Sequence, residues 1–213
     1  MSYKIVAALG DSVTNGFWDE TFAGWFGRLA TKISATYPKS FGFNNLSQDG
    51  DRVCDFFHRF AAEGLSRDID ILIITVSGND LIRNPNIDSP TDLSVHLRNE
   101  YWERLLDLTQ KNIPNILVLD ALPRRNDKTA DHEGRIDVPM FEPNADRIEY
   151  NAQVAKICAD RKISFMRRFD KWTKLDLSEY YVDLVHPNGK GHQLIADEVY
   201  AELEKLGWLN KKK

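Results

Sequence analysis

Two cysteines in 213 residues, Cys54 and Cys158, are too few for a disulfide framework and too far apart for a cysteine-based metal site. Buried, reduced thiols and a cytoplasmic setting are therefore the expectation. Cationic residues are not in excess: 28 Lys and Arg stand against 32 Asp and Glu, a net charge of −4. That balance gives no footing for nucleic-acid binding, and the closing Lys211-Lys212-Lys213 reads as a solvated tail. Long apolar runs are missing too. The stretch Tyr3 to Leu9 is short and contains Lys4, so it serves neither as a signal-peptide core nor as a membrane span. No internal repeat or low-complexity segment breaks the chain. What remains is 42% hydrophobic and 28% charged, enough to bury a substantial core within one domain over residues 1–213.

Helical and strand patterns alternate along that length. Residues 3–9 read as a short buried strand that ends at Gly10. Ala23 to Tyr37 carries Trp25, Phe26, Leu29 and Ile33 at helical spacing and stops at Pro38. Phe41 to Leu46 is a second strand and Asp51 to Leu65 a helix. Ile69 to Val76 is the strongest strand, continuous and β-branched, as expected of a strand buried on both faces. Thr91 to Lys111 is a long helix, Asn115 to Ala121 a fourth strand and Glu142 to Arg161 a helix. Ile163 to Met166 is a fifth strand. Asn188 to Leu206 is a last helix with Asn188 as its N-cap. Five strands separated by helices, with no hairpin signal, predict an α/β fold with a parallel sheet. The order 2-1-3-4-5, with a switch point between strands one and three, is the preferred topology. The connection Leu122 to Phe141, about twenty residues, is long for a compact domain. It reads either as a substrate loop or flap, or as a tolerated surface insertion.

Ser12 follows Gly10 and Asp11 at the carboxyl end of the first strand, where α/β sheets bind ligands. As a nucleophile it would need a base. Of the five histidines, His58 lies in a helix among phenylalanines and His96 near a helix start. His132 falls in the long connection and His192 in the last helix. His186 lies in a loop, in Asp183-Leu184-Val185-His186-Pro187-Asn188, with Asp183 three residues upstream. A carboxylate there can accept from one ring nitrogen while the other faces a serine. Pro187 restricts His186 to extended geometry. Oxyanion donors are available at two further strand ends: Gly50, whose N–H can approach a ligand closely, and Asn79, whose amide is a neutral donor. The Ser12 N–H is a third. Read singly, each of these is ordinary turn chemistry.

Together, the four stretches resemble the SGNH hydrolases, or GDSL-type esterase/lipase family, over nearly the whole chain. Gly10-Asp11-Ser12 matches the first block, Gly50 fits the second, Asn79-Asp80 the third and Asp183-Leu184-Val185-His186 the fourth. There are departures. Val13 stands where leucine or isoleucine is usual, and Ser77 replaces the first glycine of the third block. Ser47 and Asp49 occupy the glycine and serine positions of the second, which puts a carboxylate beside the expected oxyanion site. The resemblance implies a flavodoxin-like three-layer α/β/α sandwich and ester hydrolysis with neither metal nor cofactor. Ser12 would be nucleophile, His186 base and Asp183 its orienting partner, with Ser12, Gly50 and Asn79 forming the oxyanion hole. Asp11 and Asp80 would hold their turns.

Trp18 and Phe17 follow the nucleophile turn, and Tyr180 and Tyr181 precede Asp183. At a site mouth, Trp18 and Tyr181 would suit a sugar ring or an aryl group. Arg124, Arg125 and Arg135 in the long connection could receive an acidic sugar or phosphate. The substrate expectation is a small-molecule ester with a short acyl group, O-acetylated carbohydrate included. Lysophospholipase or thioesterase action is the alternative within the family. Outside it stands a non-catalytic carbohydrate- or nucleotide-binding module of flavodoxin type, in which the Ser12-to-Gly16 turn would cradle a phosphate.

Overall fold

A computed structural model describes residues 3–125 and 139–210. His132, Arg135, most of the long connection and the lysine tail lie outside the described residues. Five parallel strands, β1 (Lys4–Leu9), β2 (Phe41–Asn45), β3 (Ile71–Thr75), β4 (Asn115–Leu119) and β5 (Ser164–Met166), form one sheet in the order β2-β1-β3-β4-β5. This is the topology preferred above, although strand order itself is not visible in the sequence, and its reversal falls between β1 and β3.

The unbroken apolar run of β3 is explained by its two faces. Ile71 and Ile73 pack with Trp25 and Leu29 of α2 (Gly24–Thr36) and with Ile195 and Val199 of α7 (Gly189–Lys205). Leu72 and Ile74 point the other way. They meet Phe56 of α3 (Val53–Glu63), Trp102 of α4 (Val95–Gln110) and Tyr150 and Val154 of α5 (Asn144–Asp160). The result is a three-layer α/β/α sandwich. Burial of each such large side chain contributes about 1.5–3 kcal/mol, so both faces of β3 favour the strand over any exposed alternative.

Element boundaries differ from the sequence reading where caps override periodicity. The long helix begins at Val95, not Thr91. Ser94 is extended and its hydroxyl accepts the Leu97 N–H, while Asp92 turns away to pair with Arg52. Two single-turn helices, α1 (Ser12–Asn15) and α6 (Phe169–Trp172), are too short to show a period. Asn188 does cap α7, its side chain accepting the Gly191 N–H at 3.0 Å.

The passage from β1 to α1 is the tightest in the fold. A Cβ on Gly10 would lie 2.2 Å from Thr75 Oγ1 and 2.3 Å from Thr14 Oγ1, so only glycine fits. Those two hydroxyls hydrogen-bond to each other at 2.8 Å and fasten α1 to the end of β3. Ser12 is thereby held at the carboxyl edge of the sheet. Among the described residues, no helix is long and apolar enough to cross a membrane. Cys54 and Cys158 are free and buried, and burial pushes the Cys158 thiol up to about 12.

Candidate active site

Ser12 opens α1, and Asp11 before it caps that turn, its carboxyl accepting the Val13 N–H at 3.0 Å. Asp11 is buried, and burial raises its pKa above the usual carboxylate value. The Ser12 Oγ lies 3.0 Å from His186 Nε2. His186 Nδ1 lies 2.6 Å from Asp183 Oδ2. Asp183 Oδ1 accepts two backbone N–H groups, from Val185 at 2.8 Å and His186 at 2.7 Å. One carboxylate thus shapes the loop and orients the ring. With Nδ1–H donating to the Asp183 carboxylate, Nε2 presents its lone pair to Ser12.

Burial pushes the Asp183 pKa upward, but the hydrogen bonds from His186 and Val185 outweigh it and leave the carboxyl below its ordinary value. The converse holds for His186. Burial pulls its pKa down, yet the Asp183 hydrogen bond and charge raise it above the ordinary histidine value.

The other two strand ends converge on the same place. After β2 the chain keeps bonding along β1, Leu46 N–H to the Ala8 carbonyl and Gln48 N–H to the Gly10 carbonyl. This carries Gly50, in left-handed backbone at φ +81°, to the cavity that Ser12 lines. Asn79 begins a 3-10 turn after β3, and its Nδ2 donates to the Asp51 carbonyl at 3.0 Å. One Nδ2 proton is thus engaged and the other is left for a ligand. Behind Asn79, Asp80 is fully buried. It accepts from Tyr150 Oη at 2.7 Å and from the Val53 N–H at 3.1 Å, and burial pushes its pKa up to about 7. Asp49 sits at the exposed edge, bonded to Asn15 Nδ2 at 2.9 Å.

Ser12, His186, Asp183, Gly50, Asn79 and Asp49 line a cavity of about 710 Å³. Its mouth carries Phe17 and Trp18. Phe17 packs 4.9 Å from the His186 ring and Trp18 4.8 Å from Phe17, centroid to centroid. Ile82, Leu122 and Met140 also line it, as do the buried Asp120, Glu142, Arg147 and Arg168. The four charged side chains are paired: Glu142 with Arg147, and Asp120 with Arg168. Among the described residues, no group of three or more His, Cys, Asp or Glu is arranged to hold a metal ion.

The sequence model of the GDSL-like lipase/acylhydrolase family matches residues 8–194. The chain belongs to this family. As a GDSL-like acylhydrolase it is an ester-hydrolysing enzyme. YpmR of Bacillus subtilis (strain 168), described as uncharacterized, is 25% identical over 224 residues, covering 95% of this chain and 82% of YpmR. A lipase/acylhydrolase from Enterococcus faecalis superposes with a TM-score of 0.74 at 18% identity, over 99% of both chains. An acetylxylan esterase from Geobacillus stearothermophilus does so with 0.74 at 17% identity, over 99% of this chain and 98% of that one.

Within this acylhydrolase the structure brings together Ser12, His186, Asp183, Gly50, Asn79 and Trp18. It does not bring Tyr181. That side chain is buried against Trp172 and its hydroxyl donates to the Pro123 carbonyl at 2.8 Å, so it belongs to the core beneath α7 rather than to the cavity. Arg124 and Arg125 also miss the site: they line a separate cavity with Thr173, Asp176 and Ser178, and Arg124 is buried. Of the remaining histidines, His58 and His96 are exposed, and His192 is enclosed, where burial pulls its pKa down to about 4. The phosphate-cradle reading of the Ser12 turn is left with the Ser12 N–H alone. Val13 N–H goes to the Asp11 side chain, and Thr14 and Asn15 N–H go to the Asp11 carbonyl.

The buried ion pairs escaped sequence reasoning. Arg147 carried one signal: it sits one turn before Tyr150 and Asn151 and two turns before Val154, on the inward stripe of α5, where a cation is out of place. Asp120 follows β4, the same structural position that singled out Ser12 and Asn79.

Proposed function

We propose that this acylhydrolase, acting as one domain over residues 1–213, is a serine esterase that removes short acyl groups from small esters, O-acetyl groups on carbohydrates included. The observation that carries this is the hydrogen-bonded line Ser12–His186–Asp183, 3.0 and 2.6 Å, at a cavity mouth. Ser12 Oγ attacks the acyl carbon while His186 Nε2 takes its proton, and the Asp183 carboxylate stabilises the imidazolium. The oxyanion receives the N–H groups of Ser12 and Gly50 and the second Nδ2 proton of Asn79. Ser12 stands at the first helical position, where the N–H has no intrahelical acceptor. His186 returns the proton to the leaving alcohol. Water, activated by the same ring, then attacks the acyl-enzyme and frees the acid and Ser12.

One feature favours a short acyl group and a second a flat alcohol. The cavity is lined by the Glu142–Arg147 and Asp120–Arg168 pairs, and a long alkyl chain laid there would desolvate charge without replacing its hydrogen bonds. At the mouth, Trp18 is 54% exposed in left-handed backbone at φ +63°. Asp19 anchors that loop through Thr21, the Gly24 N–H and Arg28. A flat, projecting aromatic suits a sugar ring or an aryl alcohol. That one structural neighbour is an acetylxylan esterase points the same way.

The test is turnover of p-nitrophenyl acetate, butyrate and octanoate near pH 8, followed by O-acetylated xylo-oligosaccharides. Rates falling with chain length support the proposal; rates rising with it favour a lysophospholipase or thioesterase. On composition we place the enzyme in the cytoplasm, which cell fractionation tests.

Two further outcomes are expected. Asn79→Ala should lower kcat about 100- to 1,000-fold, the usual loss for one oxyanion donor, and a kcat within threefold of wild type would remove Asn79 from that role. The kcat/KM profile should have an acid limb. His186 must be neutral to accept the Ser12 proton, and its pKa is raised, so activity falls as pH drops through a midpoint above the free-histidine value of about 6.5. A midpoint below that value would contradict the Asp183–His186 coupling.

A further inference from the structure

Ser77 lies two residues past the end of β3, where the family's third block has glycine, and its side chain is fully buried. Three groups from three different stretches surround its hydroxyl. Asp11 Oδ2 of the nucleophile turn lies at 2.8 Å, and the carbonyl oxygen of Asp51, beside Gly50, lies at 2.8 Å. The backbone N–H of Asn79 donates to it at 3.1 Å. The same Asp51 carbonyl accepts Asn79 Nδ2. One hydroxyl therefore ties the nucleophile turn to both outer arms of the oxyanion site.

Counting protons decides how these contacts are made. A serine hydroxyl has one proton to give, and a carbonyl has none. If Asp11 were a carboxylate, one of the two 2.8 Å contacts would be oxygen against oxygen with no proton between, at a hydroxyl that is itself fully buried. With the proton on Asp11 Oδ2 the conflict disappears. Asp11 donates to Ser77 Oγ, and Ser77 donates to the Asp51 carbonyl. Asp11 Oδ1 still accepts the Val13 N–H. Ser77 Oγ then accepts from Asp11 and Asn79 and donates once, so every position is filled.

We propose that Asp11 is a neutral acid and that Ser77 is a positioning residue, relaying a one-way hydrogen-bond chain from Asp11 to the Asp51 carbonyl that holds the Gly50 loop and the Asn79 amide in place for the oxyanion. The groups facing Asp11 divide. His186 and Arg147 favour its ionised form, and the carboxyl groups of Asp51 and Asp80 disfavour it. Burial adds to the second side. A neutral Asp11 also keeps a fixed negative charge away from the point where the oxyanion forms.

The kinetic half of this inference rests on the serine-esterase proposal; the proton assignment does not. The carboxyl carbon of Asp11 in 13C-labelled wild-type enzyme, assigned through bonds from its backbone, should show the chemical shift of a protonated acid at pH 7. An ionised carboxylate there would overturn the proton chain. Separately, Ser77→Ala should lower kcat on p-nitrophenyl acetate on the order of 10- to 100-fold with KM little changed, since it loosens groups that do not bind the ground state. The rate of Ser12 labelling by a fluorophosphonate should fall in parallel. Ser77→Thr, which keeps the hydroxyl, should restore most of both. Wild-type kcat and labelling in Ser77→Ala would overturn the positioning role. If the wild-type enzyme itself neither hydrolyses nor labels, the esterase proposal fails while the carbon shift still decides the state of Asp11.

Discussion

Ser12→Ala is expected to abolish ester hydrolysis, with kcat lower by on the order of 10⁴-fold or more, while thermal unfolding stays within a degree or two of wild type. The two halves of that result have separate causes. The Ser12 side chain makes one hydrogen bond, to His186, and is only half-buried, so its loss opens no cavity. The turn that carries it is held by Asp11 on Val13, by Gly10 against Thr75 and by the Thr14–Thr75 hydroxyl pair, none of which involves Oγ. Chemistry, by contrast, loses its nucleophile. What remains is the slower hydrolysis that an oxyanion hole and binding support alone, so a residual rate above that of buffer is compatible with the account. Side-by-side assays and melting curves check both halves. Hydrolysis at the wild-type rate in the variant would remove Ser12 from the reaction, and a large fall in melting temperature would mean that the turn depends on Oγ.

The second large effect is expected at Asp183→Asn. Asp183 receives three donors: Nδ1 of His186 on Oδ2, and the N–H groups of Val185 and His186 on Oδ1. Asparagine can keep its oxygen under the two backbone donors, which preserves the loop. Its amide then faces His186 Nδ1 as a donor, and the ring must present a lone pair there. The ring proton moves to Nε2, which faces Ser12, and the base is lost although every heavy atom stays in place. A fall of about 10⁴-fold in kcat follows from this tautomer change, with KM far less affected. The acid limb of the pH profile should move too, because the carboxylate that raises the His186 pKa is gone. A loss under tenfold would show that Asp183 does not set the tautomer.

How far the sequence could be read follows from the range of the interactions involved. The parallel sheet was legible because β3 is apolar from Ile71 to Ile74 and the strands are separated by helices with no hairpin turn; strand order itself is not visible in the sequence, and 2-1-3-4-5 was a preference among doubly wound orders that the structure matches. The family was legible because its blocks are short, local and ordered along the chain. Helix starts were less so: Ser94 beat Thr91 by a side-chain bond to Leu97, a contact that periodicity does not contain. Tyr181 was misplaced for a similar reason. An aromatic two residues before Asp183 points inward or outward according to what packs beneath it, and the Pro123 carbonyl and Trp172 ring that claim it are distant in sequence. The Asp120–Arg168 pair and the Ser77 hub join segments far apart in sequence, whereas Glu142 and Arg147 are only five residues apart and pair by turning inward together. In sequence, Ser77 showed only as a departure from glycine.

The most direct measurement is the mass of the intact wild-type enzyme after reaction with a fluorophosphonate, followed by peptide mapping of the adduct. A nucleophilic serine, activated by His186 and facing an oxyanion hole, attacks phosphorus and keeps the phosphonyl group after fluoride leaves. The expected result is one phosphonyl group per chain, on the peptide containing Ser12, with loss of esterase activity in step with labelling. An adduct on any other residue, or full activity after complete exposure to the reagent, would contradict the assignment of Ser12 as nucleophile.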